Sequence, residues 1–328
     1  MFGTKPALRL RIERTGAQPR HIAPADFEQF DFADGDSLHI EPAALEPTLP
    51  TTWGDRCIEL APGHAIRVPA QMHYFDFKGF RIPVHLITLT GAGPETLDWI
   101  GAAHIRNFER SIGLHADMCF VDIGCGIGRD AFQLIERLSP TGQYVGLDVT
   151  RDSIAWCQRH ITPRHPNFSF HHIDAHNELY NPHGRLKTSD FRLPLADASV
   201  DRIGLESVFT HLLRDEVLHY MKEFARVLKP DGLVHASFFL YSSEALLAAE
   251  SLGSTAWKAT FALPHGDGVY SNDPTYPRGA VAYTDAAMRE MMREAGLTTD
   301  RPYIKGAWSG LWGDAAEEGQ DAVVLRRA

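Results

Sequence analysis

A mainly parallel α/β sheet with helices on both faces is the fold class the sequence predicts. Three observations point to it. From about residue 95 onward, short apolar strands alternate with amphipathic helices, the pattern of repeated β-α-β units. A glycine-rich turn, Gly124-Cys125-Gly126-Ile127-Gly128, joins the first of these strands to a helix. Three successive strands end in acidic residues, Asp122, Asp148 and Asp174.

Pro94 opens a helical stretch over 95–114, where Leu97, Ile100, Ala103 or His104, Phe108 and Ile112 keep a helical period. MCFVDIG (118–124) follows as a short apolar strand. RDAFQLIERLS (129–139) reads as a helix with Ala131, Leu134, Ile135 and Leu138 on one face. QYVGLDV (143–149) is a strand, RDSIAWCQRHI (151–161) a helix and NFSFHHID (167–174) a strand. SVDRIGLES (199–207) is the fourth strand, and RDEVLHYMKEFARVL (214–228) a helix with Val217, Met221, Phe224 and Leu228 inward. Lys229-Pro230-Asp231-Gly232 is expected to end that helix, with glycine taking a left-handed turn. LVHASFFLY (233–241) is the fifth strand. Residues 242–282 break the alternation and carry Trp257, Phe261, Tyr270 and Tyr276. A loop this long in a compact domain is usually functional or disordered, and disordered segments lack large aromatics. This one is expected to be a packed lid over an acceptor pocket. Thr284 caps a helix over 285–296, and RPYIKGAW (301–308) with DAVVLRR (321–327) is expected to form a closing antiparallel pair.

Residues 1–94 read as a β-rich accessory region. LRLRIER (8–14), SLHIE (37–41), RCIEL (56–60), AIRVP (65–69) and FRIPVHLITL (80–89) are strand-like between turn residues, with a turn at Gly16 to Pro19 and an irregular connection around Pro42 to Pro50. The domain expected next runs over 95–328, with the lid at 242–282.

Composition narrows the function. The chain has 328 residues, 44% hydrophobic and 23% charged, with 32 Lys plus Arg against 42 Asp plus Glu and a formal net charge of −10. An acidic chain lacks the positive field that nucleic acid and anionic membranes require. No apolar run approaches the roughly 20 residues that span a bilayer, and the start MFGTKPALRLRIER has no apolar core of a secretory signal. The four cysteines, Cys57, Cys119, Cys125 and Cys157, form no CxxC pair, so free thiols in a reducing, cytoplasmic setting are expected.

The run VDIGCGIGRDAF (121–132) carries the chemistry. Glycines let the chain turn sharply and let a ligand approach without a Cβ in the way. The loop presents helix N-terminal N–H groups at the carboxyl ends of the strands, where open α/β sheets bind ligands. Asp148 stands 20 positions past Gly128, where a carboxylate can accept hydrogen bonds from a ribose diol. A dinucleotide loop reads GxGxxG, but Arg129 holds the place of its last glycine here. Asp122 beside the loop would repel a pyrophosphate, yet it suits a ligand bearing an ammonium and a sulfonium.

VDIGCGIG (121–128), YVGLDV (144–149), SVDRIGLESVFTHL (199–212) and FARVLKPDGLV (224–234) resemble the successive motifs of class I S-adenosylmethionine-dependent methyltransferases. The resemblance covers about residues 95–328. In more detail the sequence resembles bacterial small-molecule or sugar methyltransferases with an SVFTHL segment and a terminal QDAVVL strand. It implies a Rossmann-like seven-stranded sheet of order 3-2-1-4-5-7-6 with strand 7 antiparallel. It also implies that S-adenosyl-L-methionine is the cofactor, with Asp122, Gly124, Gly126 and Gly128 at its methionine end, Asp148 at the ribose and Asp174 at the adenine. The chain neighbours Cys125, Val149 and Ala175 are expected beside them.

Methyl transfer to an alcohol also needs a base as the O–H bond breaks. His211, just after the fourth strand, titrates near neutrality and is the expected base; a packing role in the loop is its alternative. Glu206 is expected in the cofactor pocket, and Phe209, Tyr180 and Asn181 at the acceptor. His171, His172, Asp174, His176 and His183 lie close in sequence, a lesser case for a divalent ion, and no metal is expected. Asn272-Asp273-Pro274-Thr275-Tyr276 resembles the Asn-Pro-Pro-aromatic motif of amino methyltransferases, but it follows the fifth strand and reads as turn chemistry. The expected function is O-methylation of a small-molecule hydroxyl on a sugar or natural product. The competing readings are an N-, C- or protein methyltransferase, a non-catalytic cofactor-binding protein and, more distantly, a nicotinamide oxidoreductase. The partner expected is the small-molecule acceptor, and a homo-oligomer is compatible with this reading.

Overall fold

The computed structural model describes residues 9–14, 18–22, 36–41, 49–50, 56–61, 64–68, 74–91, 93–252 and 259–328. In the first part of the chain β1 (Arg9–Arg14), β2 (Arg20–Ile22) and β3 (Asp36–Glu41) pair antiparallel in the order 2-1-3. A second antiparallel set follows in the order 4-5-6, from β4 (Leu49–Pro50), β5 (Arg56–Ala61) and β6 (His64–Val68). Half of the expected turn at 16–19, most of the connection around Pro42 to Pro50, and Trp257 lie outside the described residues.

β7 (Tyr74–Phe77) and β8 (Phe80–Pro83) form a hairpin closed by Lys78 and Gly79, both at positive φ. The expected strand over 80–89 stops at Pro83, and α1 (Val84–Thr88) replaces its second half. A short apolar run suits either state, so packing decides; here the helix buries Leu86 and Ile87. The hairpin docks by aromatics: Phe77 meets Phe132 edge-on at 5.5 Å, and Phe80 packs on Phe132 and Trp156. Contact with the main sheet's helical layer therefore already begins in this hairpin.

α2 (Leu97–Ile112) buries Leu97, Gly101, Ile105, Phe108 and Ile112, a stripe turned slightly from the expected one. The sheet then follows: β9 (Cys119–Ile123), α3 (Ala131–Leu134), β10 (Gln143–Asp148), α4 (Arg151–His160), β11 (Phe168–His172), β12 (Val200–Leu205), α5 (Arg214–Val227) and β13 (Leu228–Leu240). α3 is much shorter than the helix expected over 129–139, because turns flank it on both sides. Helix α5 ends on schedule, but Lys229 to Gly232 belong to β13 rather than to a separate turn. The register slips between Val200↔Leu228 and Arg202↔Leu233, so this stretch bulges out of the ladder. Gly232 is not in the left-handed region; a Cβ there would stand 2.7 Å from Leu228 Cδ2, so it is crowding that calls for glycine.

The chain closes with α6 (Ser243–Leu252), β14 (Leu263–Gly266), β15 (Val269–Ser271), β16 (Val281–Tyr283), α7 (Asp285–Glu294), β17 (Leu297–Thr298) and β18 (Asp321–Arg327). Thr284 Oγ1 accepts from the Ala287 N–H and caps α7. Strands β9 to β13 are parallel, β18 is antiparallel to β13, and β17 is antiparallel to β18. The order β11-β10-β9-β12-β13-β18-β17 is 3-2-1-4-5-7-6 in chain order, as expected. Of the expected closing pair, 321–327 is a strand, whereas 301–308 contributes only isolated bridges, Ile304 to Ala322 and Gly306 to Glu318. The far end of β13 pairs with β16, and β15 and β14 follow antiparallel. The segment expected as a lid thus continues the sheet.

Two apolar layers sandwich the sheet. Val121, Val145, Leu147, Ile203 and Leu205 face α5 and α7, while Phe120, Tyr144, Phe168 and Phe170 face α2 to α4. In the second layer Phe120, Tyr144 and Phe168 stand side by side on neighbouring strands. Gly204 makes room there for helix α2, since a Cβ on it would lie 2.7 Å from Phe108 Cζ and 2.8 Å from Phe120 Cζ. Gly204→Ala is expected to overpack this layer and cost about 1–3 kcal/mol in urea unfolding. Gly319→Ala, whose Cβ meets nothing within 4 Å, should stay near wild type.

Candidate active site

A cavity opens where β9, β10 and β12 end. The loop after β9 lines it with Gly124, Cys125 and Gly126, the end of β10 with Asp148, Val149 and Thr150, and the end of β12 with Glu206, Ser207 and Val208. The loop is fixed by backbone bonds. Gly124 and Cys125 donate to the Leu147 carbonyl at 2.7 and 3.2 Å. Gly124, Gly126 and Gly128 all sit at positive φ, which suits glycine. A Cβ on Gly124 would lie 2.5 Å from Val208 Cγ2, and one on Gly126 3.1 Å from Thr90 Cγ2. The loop is a cradle that side chains would fill.

Asp148 organises it. One carboxylate oxygen accepts the Gly126 N–H at 2.7 Å and the other the Thr150 N–H at 2.7 Å, with the Thr150 hydroxyl also donating. A carboxylate has about four acceptor directions, so Asp148 keeps capacity toward the cavity it lines. Asp122 forms part of the same wall but is 4% exposed and accepts from the Tyr144 hydroxyl. Burial, with the Asp130 carboxylate close by, pushes its carboxyl far above the usual carboxylate range. Beneath it, His104 Nδ1 pairs with Asp130 at 3.0 Å. Burial opposes charge on His104, but Asp130 and Glu206 outweigh it and raise its pKa. Glu206 is likewise opposed by burial, yet His104 and His235 pull it down to about 2.

The other sequence-derived residues divide. Tyr180 and His211 both line the cavity, with ring centroids 6.3 Å apart. His211 Nδ1 lies 2.8 Å from the Arg278 carbonyl oxygen, which can only accept, so this nitrogen carries the proton and a neutral ring keeps its lone pair on Nε2. Burial holds its pKa below the ordinary histidine value. Phe209 does not reach the cavity: it is fully buried and stacks on Phe224 in the core. Asn181 is spent on structure, its amide donating to the Ala175 carbonyl at 2.9 Å. Gly128 packs behind the loop against Ile161 and Cys157. Asp174 is turned to Arg185, whose guanidinium lowers its pKa, and Ala175 is buried; neither lines the cavity. His172 bonds to the Val149 carbonyl, and the histidines of 171–183 do not converge as metal ligands.

Sequence reasoning missed Leu89, Thr90 and Gly91, which wall the cavity after α1; an apolar run read as a strand gave no signal. It also missed Asn177, whose Oδ1 accepts the N–H groups of Leu179 and Tyr180 and so sets Tyr180 in place. A second cavity shares Ser207 and His211 with the first and is otherwise lined by Phe239, Asn272, Asp273, Tyr276 and Trp308 among others. The Asn272 to Tyr276 run is turn chemistry, as expected: Asp273 Oδ1 accepts the Thr275 N–H at 2.7 Å. Ser207, at the junction, has φ 61, a strained value for a residue with a side chain.

Residues 120–232 match the model of a methyltransferase domain family. An arsenite methyltransferase of Aquipseudomonas alcaligenes is 27% identical over 192 residues, 55% of this chain and 52% of that protein. The chain thus spans about half the length of this curated relative. Among solved structures, an S-adenosylmethionine-dependent methyltransferase from Aquifex aeolicus is 15% identical with a TM-score of 0.43, over 74% of this chain and 97% of that one. A 1,6-didemethyltoxoflavin-N1-methyltransferase of Burkholderia thailandensis, solved with S-adenosylhomocysteine, is 16% identical with a TM-score of 0.43, over 73% of this chain and 83% of that one.

The buried Asp122 yields a test. A carboxyl whose pKa is raised in the folded state adds stability at pH below its unfolded value, about 3.9, and loses it as pH rises toward the folded value. Asp122→Asn keeps the acceptor for Tyr144 and removes this loss. The melting temperature of the variant relative to wild type should therefore climb as pH is raised from about 4 through neutrality.

Proposed function

We propose that this chain, which carries a class I S-adenosylmethionine-dependent methyltransferase domain, methylates a hydroxyl group of a small molecule. The observation that supports this most is the place of His211. It lies at the junction of two cavities, one bounded by the glycine cradle and one bounded by the segment after β13.

In this reading the first cavity takes S-adenosylmethionine, which supplies an electrophilic methyl group. Gly124 and Gly126 let the ligand lie against bare backbone, Asp148 accepts from the ribose hydroxyls, and Asp122 and Glu206 wall the methionine end, where Glu206 is the carboxylate held ionised. Val149 and Cys125 complete the wall. The acceptor enters the second cavity, between Trp308, Phe239 and Tyr276, and Tyr180 faces it from the first. His211 takes the proton of the acceptor hydroxyl at Nε2, held in that tautomer by Arg278. The segment 259–283 closes this side. Phe261, Val281 and Tyr283 within it are fully buried, and the Tyr283 hydroxyl donates to the Phe209 carbonyl at 2.8 Å. Excising it would open the core, so this cover is a built wall of the pocket.

The activity in the name of the arsenite methyltransferase finds less support. Arsenic(III) is a soft centre that calls for thiolates. Burial raises Cys125 and Cys157 well above the usual thiol range, so both stay protonated.

Asp148→Ala is expected to weaken S-adenosylhomocysteine binding by about 1.5–3 kcal/mol, read by calorimetry on the folded variant. Unchanged affinity would remove Asp148 from the site.

His211→Ala is expected to leave that affinity intact and to lower turnover by about 10²–10⁴-fold. Because burial lowers its pKa, the wild-type rate should hold down to about pH 6.5 and fall only below it. Turnover within a few-fold of wild type would leave His211 as a packing residue.

A further inference from the structure

Behind the cavity wall, β12, β13 and the segment leading into β18 bring together Glu206, His235 and Glu318. Glu206 follows β12, His235 lies within β13, and Glu318 leads into β18. His235 is paired in register with Gly204 on one side and Val324 on the other, so the three side chains meet on the face covered by α2. His235 is fully buried, and the Glu318 side chain is 2% exposed.

The inner atoms of this group are unsatisfied. Glu206 Oε1, His235 Nε2 and Glu318 Oε2 are all buried and have no hydrogen-bond partner. Yet His235 Nε2 is 3.5 Å from Glu206 Oε1 and 3.4 Å from Glu318 Oε2. Among the described residues no other set of three His, Cys, Asp or Glu ligand atoms converges in this way. An N–H points in one direction and cannot serve two carboxylates at once, and here it serves neither at hydrogen-bond geometry. A metal ion attracts from every direction. With bonds of about 2.0–2.2 Å to nitrogen and oxygen, tetrahedral ligands stand roughly 3.3–3.6 Å apart; both His235–carboxylate pairs have that spacing, and all three atoms lie within 4.8 Å of one another.

Outer groups aim two of these atoms inward. Ser111 Oγ lies 2.9 Å from His235 Nδ1, and Arg110 donates to Glu318 Oε1 at 3.3 Å. Ser111 can hold the proton on Nδ1 and leave the Nε2 lone pair for a ligand bond, the usual arrangement around a metal-binding histidine. Two carboxylates, a neutral imidazole and a divalent cation sum to zero charge, which a buried site favours.

We propose that Glu206, His235 and Glu318 bind one divalent first-row transition ion. The ion ties the loop after β12 to β13 and to the segment before β18. It leaves at least one coordination position beyond the three protein ligands, and Glu206, which also lines the cofactor cavity, is the ligand nearest to exchange with solvent. This site does not depend on which acceptor the protein methylates, or on whether it methylates one.

The test uses the full chain without a histidine tag, stripped with a chelator and dialysed. Zn²⁺ is titrated by calorimetry, and Co²⁺ is followed by its visible d–d absorption. The expected result is one high-affinity equivalent per chain, with a higher melting temperature in the presence of the ion. His235→Asn and Glu318→Gln should each abolish that equivalent, and Ser111→Ala should weaken it by about 10-fold or more. Circular dichroism checks the fold of each variant; if His235→Asn does not fold, the near-isosteric Glu318→Gln decides. Wild-type protein that is folded but binds no stoichiometric ion would overturn the proposal, leaving a buried imidazolium between two carboxylates. Equal binding by wild type and folded Glu318→Gln would overturn it too, by assigning the ion to other histidines.

Discussion

Two backbone N–H groups, from Gly126 and Thr150, converge on the carboxylate of Asp148. This contact joins the loop after β9 to the end of β10 and fixes the backbone around which the cavity is built. It explains why the glycines matter as a set. The loop must turn at positive φ to bring its N–H groups to Asp148, and it must do so under Val208 and Thr90, where a Cβ would collide. Charged hydrogen bonds to backbone N–H groups are among the stronger ones in proteins. The loop is therefore held before any ligand arrives.

The same sheet carries a line of buried ionisable groups on the face toward α2. Asp122, Asp130, His104, Glu206, His235 and Glu318 succeed one another beneath the strand ends. Such groups are costly to bury singly and are tolerable only when each finds a partner. Tyr144 serves Asp122, and His104 serves Asp130. Burial disfavours charge on His235, but Glu206 and Glu318 outweigh it and raise its pKa to about 9, in the absence of an ion. The contacts of His235 with those carboxylates still fall short of hydrogen bonds. A row of this kind beside the glycine cradle sets the electrostatics of the methionine end, where a positively charged ligand would be received.

How much of this was legible in the sequence depends on the range of the interactions involved. The alternation of strands and helices, the glycine loop, Asp148 and the cap at Thr284 are written in local pattern, and each stands where local reasoning puts it. The second half of the stretch 80–89 failed because a short apolar run has no period long enough to tell strand from helix; burial of Leu86 and Ile87 in α1 decided. Phe209 and His211 are two residues apart in one short turn, yet one points into the core and the other into the cavity. Asn181 was expected at the acceptor, but its amide is taken by the Ala175 carbonyl, while Asn177, of which nothing was expected, lines the cavity.

By itself the sequence determined the parallel sheet, the glycine cradle and the place of Asp148 at the end of β10, because these follow from hydrophobic period and glycine geometry. Only the tertiary structure decided that His211 sits between two cavities, that the segment after β13 extends the sheet as a wall, and that Glu206, His235 and Glu318 meet. The physical reason is separation: His235 and Glu318 lie far apart in the chain and become neighbours only when β18 pairs antiparallel with β13. No local signal marks a residue whose partner is supplied by strand pairing across such a distance.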